Sequence, residues 1–91
     1  MKQYAFHAIV QGKVQGVGFR YYTVKEAEKM NLKGWVKNLR SGEVEVWAEG
    51  TQEKLKHFYE WLQRGPGSSR VDYVDKDDMI PRDYEEFTVE Y

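Results

Sequence analysis

The segment Gln15-Gly16-Val17-Gly18-Phe19-Arg20 sets two glycines and an arginine where an alternating apolar pattern gives way to a helical one. Glycines at such a junction let successive backbone N–H groups turn toward a common centre, and the following helix N-terminus adds about half a positive charge. That concavity suits an anion of phosphate size. Glycines alone would also serve a tight strand-to-helix turn. Arg20 decides between the two, because a cation in the first helical turn opposes the helix dipole and needs another reason to stand there. Its guanidinium fork matches two phosphate oxygens. The segment has neither the Gly-Lys-Ser/Thr of a triphosphate loop nor a full GxGxxG with a downstream ribose-binding acid, so it predicts a cradle for one phosphoryl group. A second cluster, Gly34-Trp35-Val36-Lys37-Asn38, ends on an amide that can accept from water and donate to an oxygen. Taken alone, Asn38 reads first as a turn cap.

The elements that would position these residues follow from periodicity. Tyr4, Phe6, Ala8 and Val10 alternate with their neighbours, predicting a strand over Gln3–Gln11. Phe19, Tyr22, Thr23, Ala27 and Met30 recur at threes and fours, predicting a helix over Phe19–Met30 with Asn31 as its left-handed stop. Leu32–Leu39 and Val44–Glu49 form a hairpin around Arg40-Ser41-Gly42. Thr51 caps a second helix that carries Leu55, Phe58 and Leu62 and stops at Gly65-Pro66-Gly67. Arg70–Asp75 predicts a fourth strand, Asp75 to Asp83 an acidic loop, and Phe87–Tyr91 a short last strand with Phe87, Val89 and Tyr91 on one side. Trp35 and Trp47 read as packing on the sheet.

This order, β-α-β-β-α-β plus a short strand, predicts an α+β, ferredoxin-like split βαβ sandwich: an antiparallel sheet with two helices on one face. The strand order 4-1-3-2 pairs the first and third strands in opposite directions. The loop 12–18 then approaches the turn 39–42, and the cradle meets Asn38 at one edge of the sheet.

The 91 residues read as one domain, 1–91. A formal net charge of −1 conceals an uneven distribution. Residues 1–42 hold eight Lys/Arg against two Asp/Glu, a balance of +6. Residues 43–91 hold six against thirteen, a balance of −7. Both proposed halves of the site lie in the basic part, where Lys13, Lys37 and Arg40 are candidates for steering an anion. The absence of cysteine removes disulfides, thiolate metal sites and a cysteine nucleophile, and fits a cytoplasmic setting. His7 and His57 fall in separate elements, so no histidine metal site or triad is expected. No apolar run is long enough to span a membrane, and no signal-peptide core interrupts this reading.

Val10, Gly12, Val14-Gln15-Gly16-Val17, Phe19 and Arg20 resemble the first motif of the acylphosphatase family. Gly34-Trp35-Val36-Lys37-Asn38, with Gly42, Val44 and Gly50, resembles its second motif at the family's spacing, and the resemblance runs along essentially the whole chain. It implies a small, metal-independent hydrolase, without cofactor, that splits the carboxyl–phosphate bond of small acyl phosphates. Arg20 takes the family's phosphate-binding arginine position and Asn38 its water-positioning asparagine position. The chain departs from the pattern at Leu39, where many members carry a hydroxyl residue, so a helper hydrogen bond to Asn38 is in question. It departs again at Ser69, where many have Ala and where only packing should change.

The residues suit that chemistry. An acyl phosphate expels a carboxylate whose acid has a pKa of about 4, so no general acid is required at neutral pH. The loose transition state of phosphoryl transfer asks mainly for positioning and charge, from Arg20 and the amides of Gln15, Gly16, Val17, Gly18, Phe19 and Arg20. The expected partners are the acyl phosphate and, as product or inhibitor, inorganic phosphate, handled by a cytoplasmic monomer. Three other readings are weaker. An RNA-binding module of this topology would need its aromatics on a central strand, and Gly16-Val17-Gly18-Phe19 spans a loop and a helix start; the acidic second half also opposes a polyanion, so no nucleic acid is expected. A non-catalytic anion sensor would not need Asn38. The length of the chain argues against an accessory domain.

Overall fold

The computed structural model describes residues 2–91. Strand β1 (Tyr4–Lys13) leads through the loop 14–18 into helix α1 (Phe19–Lys29). Strands β2 (Lys33–Asn38) and β3 (Val44–Gly50) form the hairpin. Helix α2 (Gln52–Arg64) returns to β4 (Arg70–Met79), and β5 (Phe87–Glu90) ends the chain. The sheet order is β4-β1-β3-β2-β5. The four strands expected to be antiparallel are so, and β5 adds to the β2 edge in parallel, making the sheet mixed.

Alternation explains the core. Phe6, Ala8 and Val10 on β1, Val36 on β2, and Val44, Val46 and Ala48 on β3 point to the helices and are buried. Phe19 and Ala27 of α1 and Leu55, Phe58 and Leu62 of α2 close over them. Phe58 stacks on Trp61 with centroids 6.0 Å apart and meets Phe87 edge-on at 6.0 Å. The α1 stripe is narrower than expected. Phe19, Thr23 and Ala27 are its buried residues, whereas Tyr22 is 45% exposed. Thr23 is accommodated because its hydroxyl donates to the Phe19 carbonyl at 2.7 Å.

The largest difference from expectation lies in the acidic stretch. Strand β4 does not stop at Asp75 but pairs with β1 as far as Ala5–Met79. Asp75, Asp77 and Asp78 therefore sit in a strand, not a loop. An edge strand tolerates such charges because one side meets only water, and there they discourage further strand pairing.

From β4 at one edge, the chain must cross to β5 at the other. Residues 80–86 make this crossing as a strap over the sheet face opposite the helices. There the buried Glu49 carboxylate accepts from Trp47 Nε1 at 2.8 Å and from the amides of Arg82 at 2.6 Å and Tyr84 at 3.1 Å. The Arg82 guanidinium lies 4.6 Å over the Trp47 ring, and Trp35 Nε1 donates to the Tyr84 hydroxyl at 3.2 Å. Trp47, on this face, is only 3% exposed. Both tryptophans pack on the sheet as expected, but on the strap side.

Candidate active site

The cradle begins where β1 leaves its partner. The register between β1 and β4 shifts between Gln11 and Gly12, a bulge close to the strand's end. Gly16 (φ 73) and Gly18 (φ 77, ψ 15) both take left-handed backbone, which other residues adopt only at a cost. Gly18 is the N-cap of α1 and supplies no side-chain cap. The first turn closes through Tyr22 N–H to the Gly18 carbonyl at 3.0 Å. Among the described residues, no carbonyl or side chain accepts from the amides of Gly16, Val17, Gly18, Phe19 or Arg20. Donors left this way at a helix start can take an anion.

Antiparallel pairing of β1 with β3, ending at Val10–Val44, brings this loop against the hairpin turn. The Gln15 side chain makes the join, donating from Nε2 to the Leu39 carbonyl at 2.7 Å and to the Glu43 carbonyl at 2.8 Å. The turn closes itself through Leu39 N–H to Glu43 and Gly42 N–H to Leu39. Gln15 was expected to contribute its backbone alone; its side chain is also structural. Long amide side chains that bridge to distant carbonyls leave no periodic mark in a sequence.

Arg20, Asn38, Gln15, Gly16 and Gly18 line one hollow of ≈ 340 Å³, with the buried Phe19 as part of its lining. Val17, the remaining member of the cradle segment, is half-buried against the core. The Asn38 Oδ1 is buried and accepts no hydrogen bond from the described residues, as expected if Leu39 brings no hydroxyl to it. Arg20 has no carboxylate partner among the described residues; its guanidinium instead lies 5.2 Å from the centroid of the Tyr91 ring. Tyr91 arrives there because β5 runs parallel to β2. Lys37 pairs with Glu90, so the next residues along, Asn38 and Tyr91, end side by side.

Tyr21, Val89 and Tyr91 also line the hollow and were not expected there. Alternation puts Val89 and Tyr91 on one side of the last strand, but nothing in it says which strand that strand joins. Of the steering candidates, Arg40 is exposed in the hairpin turn and Lys13 at the end of β1, whereas Lys37 sits on the strap side of the sheet with Glu45 and Glu90 as strand neighbours. Ser69 does more than pack: its hydroxyl donates to the Pro66 carbonyl at 2.6 Å.

Comparisons with known proteins agree with this fold. The family model described as Acylphosphatase matches residues 6–89. An acylphosphatase of Legionella pneumophila (strain Paris) is 42% identical over 88 residues, covering 97% of each chain. One of Pseudomonas paraeruginosa is 52% identical over 71 residues, 78% of each chain. Among solved structures, an acylphosphatase from Coxiella burnetii superposes with a TM-score of 0.93 at 41% identity, covering 97% of this chain and 93% of that one. That from Bacillus subtilis gives 0.94 at 38% identity, covering 97% and 99%. With the two motifs, the fold and the matched length in agreement, the chain belongs to the acylphosphatase family, hydrolases whose known activity is the hydrolysis of acyl phosphates.

Proposed function

We propose that the hollow between α1 and the end of β2 is where this enzyme holds the phosphoryl group, with Arg20 and the amides of residues 15–20 on its non-bridging oxygens. Asn38 directs a water molecule in line with the scissile P–O bond through its side-chain amide. The water oxygen bonds to phosphorus as the P–O bond to the acyl group breaks. The electron pair leaves with the carboxylate, and the water's proton passes to a phosphate oxygen, giving carboxylate and dihydrogen phosphate. Arg20 and the amides meet the charge that gathers on the equatorial oxygens, so the reading needs no metal, no cofactor and no side-chain acid. The observation that carries it is the convergence of two distant segments, the cradle with Arg20 at its end and the strand end bearing Asn38, on one hollow.

The same reading has residues 1–91 acting as a single domain, a monomer in the cytoplasm that releases inorganic phosphate. Hydrolysis of benzoyl phosphate by the purified protein, measured with and without a chelator, tests it. Equal turnover in both is the expected result; no turnover, or turnover lost to the chelator, would overturn it. Analytical ultracentrifugation tests the monomer.

A further inference from the structure

The phosphoryl group occupies only the polar part of the hollow, and the substrate's other half must go somewhere. Two exposed rings stand at the rim: Tyr21, 60% exposed, and Tyr91, 93% exposed. In-line attack separates their roles. Water and leaving group lie on opposite sides of phosphorus, so the acyl group points away from Asn38. Tyr91 ends beside Asn38 and already covers Arg20. Tyr21 lies on the other element, α1, one residue past Arg20. Its ring is held in place: Tyr22 meets it edge-on at 5.3 Å and 75°, and the Lys25 ammonium lies 5.6 Å from its centroid.

We propose that Tyr21 is the specificity-determining wall of an acyl subsite, and that it favours acyl phosphates whose acyl group is a planar aromatic over short aliphatic ones. This rests on the placement of the phosphoryl group proposed above. A ring lying against Tyr21 gains an aromatic contact and removes apolar surface from water, whereas an acetyl group is too short to do either. Since the ring is mostly exposed, replacing it leaves the core intact.

The test compares benzoyl phosphate with acetyl phosphate in the wild type, Tyr21→Ala and Tyr21→Phe. The expected result is a KM for benzoyl phosphate raised about five- to tenfold in Tyr21→Ala, the scale of one aromatic contact, and restored in Tyr21→Phe. Acetyl phosphate should change by less than about twofold, against the same reference, and competitive inhibition by inorganic phosphate should not change. Equal effects on both acyl phosphates, or none on either, would overturn the role of Tyr21 and leave the phosphate site standing. Loss of phosphate inhibition in Arg20→Ala is the separate criterion for that site: if inhibition persists there, the underlying placement fails.

Discussion

The Gln15 side-chain amide donates to the Leu39 carbonyl at 2.7 Å, across 24 positions of sequence, and so joins the glycine-rich loop to the residue that follows Asn38. With the second bond, to Glu43 at 2.8 Å, it makes the two halves of the site one mechanical unit. Gln15→Leu keeps the bulk and removes both donors. It should lower stability by about 0.5–1.5 kcal/mol per bond lost, since each carbonyl keeps its backbone donor, and lower kcat roughly tenfold as Asn38 loses register with the cradle. Thermal unfolding and steady-state kinetics check both. A variant with unchanged kcat would show that the hairpin turn holds Asn38 without help.

Among the described residues, Arg20 is the one arginine that lines the hollow. Arg20→Ala should abolish measurable inorganic phosphate binding in calorimetry and turnover with it. Arg20→Lys should recover part of the binding, because a point charge remains, but little of the turnover, because the fork that matches two oxygens is gone. Phosphate binding by Arg20→Ala at wild-type strength would remove Arg20 from the site.

Asn38 should act on rate more than on binding. Asn38→Ala is expected to lower kcat by roughly 10²–10³, the scale of one positioned polar group, with phosphate inhibition nearly unchanged. Full turnover in this variant would sink the water-positioning role.

Gly16 and Gly18 distinguish backbone strain from steric room. An added Cβ at Gly16 meets nothing within 4 Å, so only its positive φ matters. At Gly18 the Cβ would also come 3.3 Å from the Tyr22 ring. Gly16→Asn should therefore be tolerated, because Asn visits left-handed backbone, while Gly16→Val should cost about 1–2 kcal/mol. Equal stability of the two variants in urea unfolding would show that the loop does not depend on this backbone conformation.

Lys13 and Arg40 stand exposed near the cradle. Their replacement by Gln should raise KM at low ionic strength and converge on the wild type at high salt, as screening shortens the reach of exposed charges. A salt-independent change would dismiss steering. Lys37, on the other face with Glu45 and Glu90 beside it, should contribute less.

The cradle and Asn38 were legible because their signals are local: residue types, a glycine spacing and a period that switches from two to four. Their meeting was legible because the usual strand order for this sequence of elements sets the first and third strands side by side and antiparallel. Other features rest on partners that periodicity does not name. Asp75, Asp77 and Asp78 look like a loop until the strand is known to lie at an edge. Tyr22 shares the helical spacing of Phe19 and Thr23 yet falls just outside the buried arc. Tyr91 enters the site only through the parallel register of β5 with β2, and the reach of Gln15 depends on the final distance between two loops.

The strap pinned on Glu49 carries the chain from one edge of the sheet to the other, so the lining of the hollow draws on residues 14–16, 18–21, 38, 89 and 91. The site therefore spans nearly the full length of the chain, and Tyr91 can reach Arg20 only after residues 80–86 have crossed the sheet. A change that loosens Glu49 should therefore be felt at the placement of Tyr91 over Arg20, on the opposite face of the sheet.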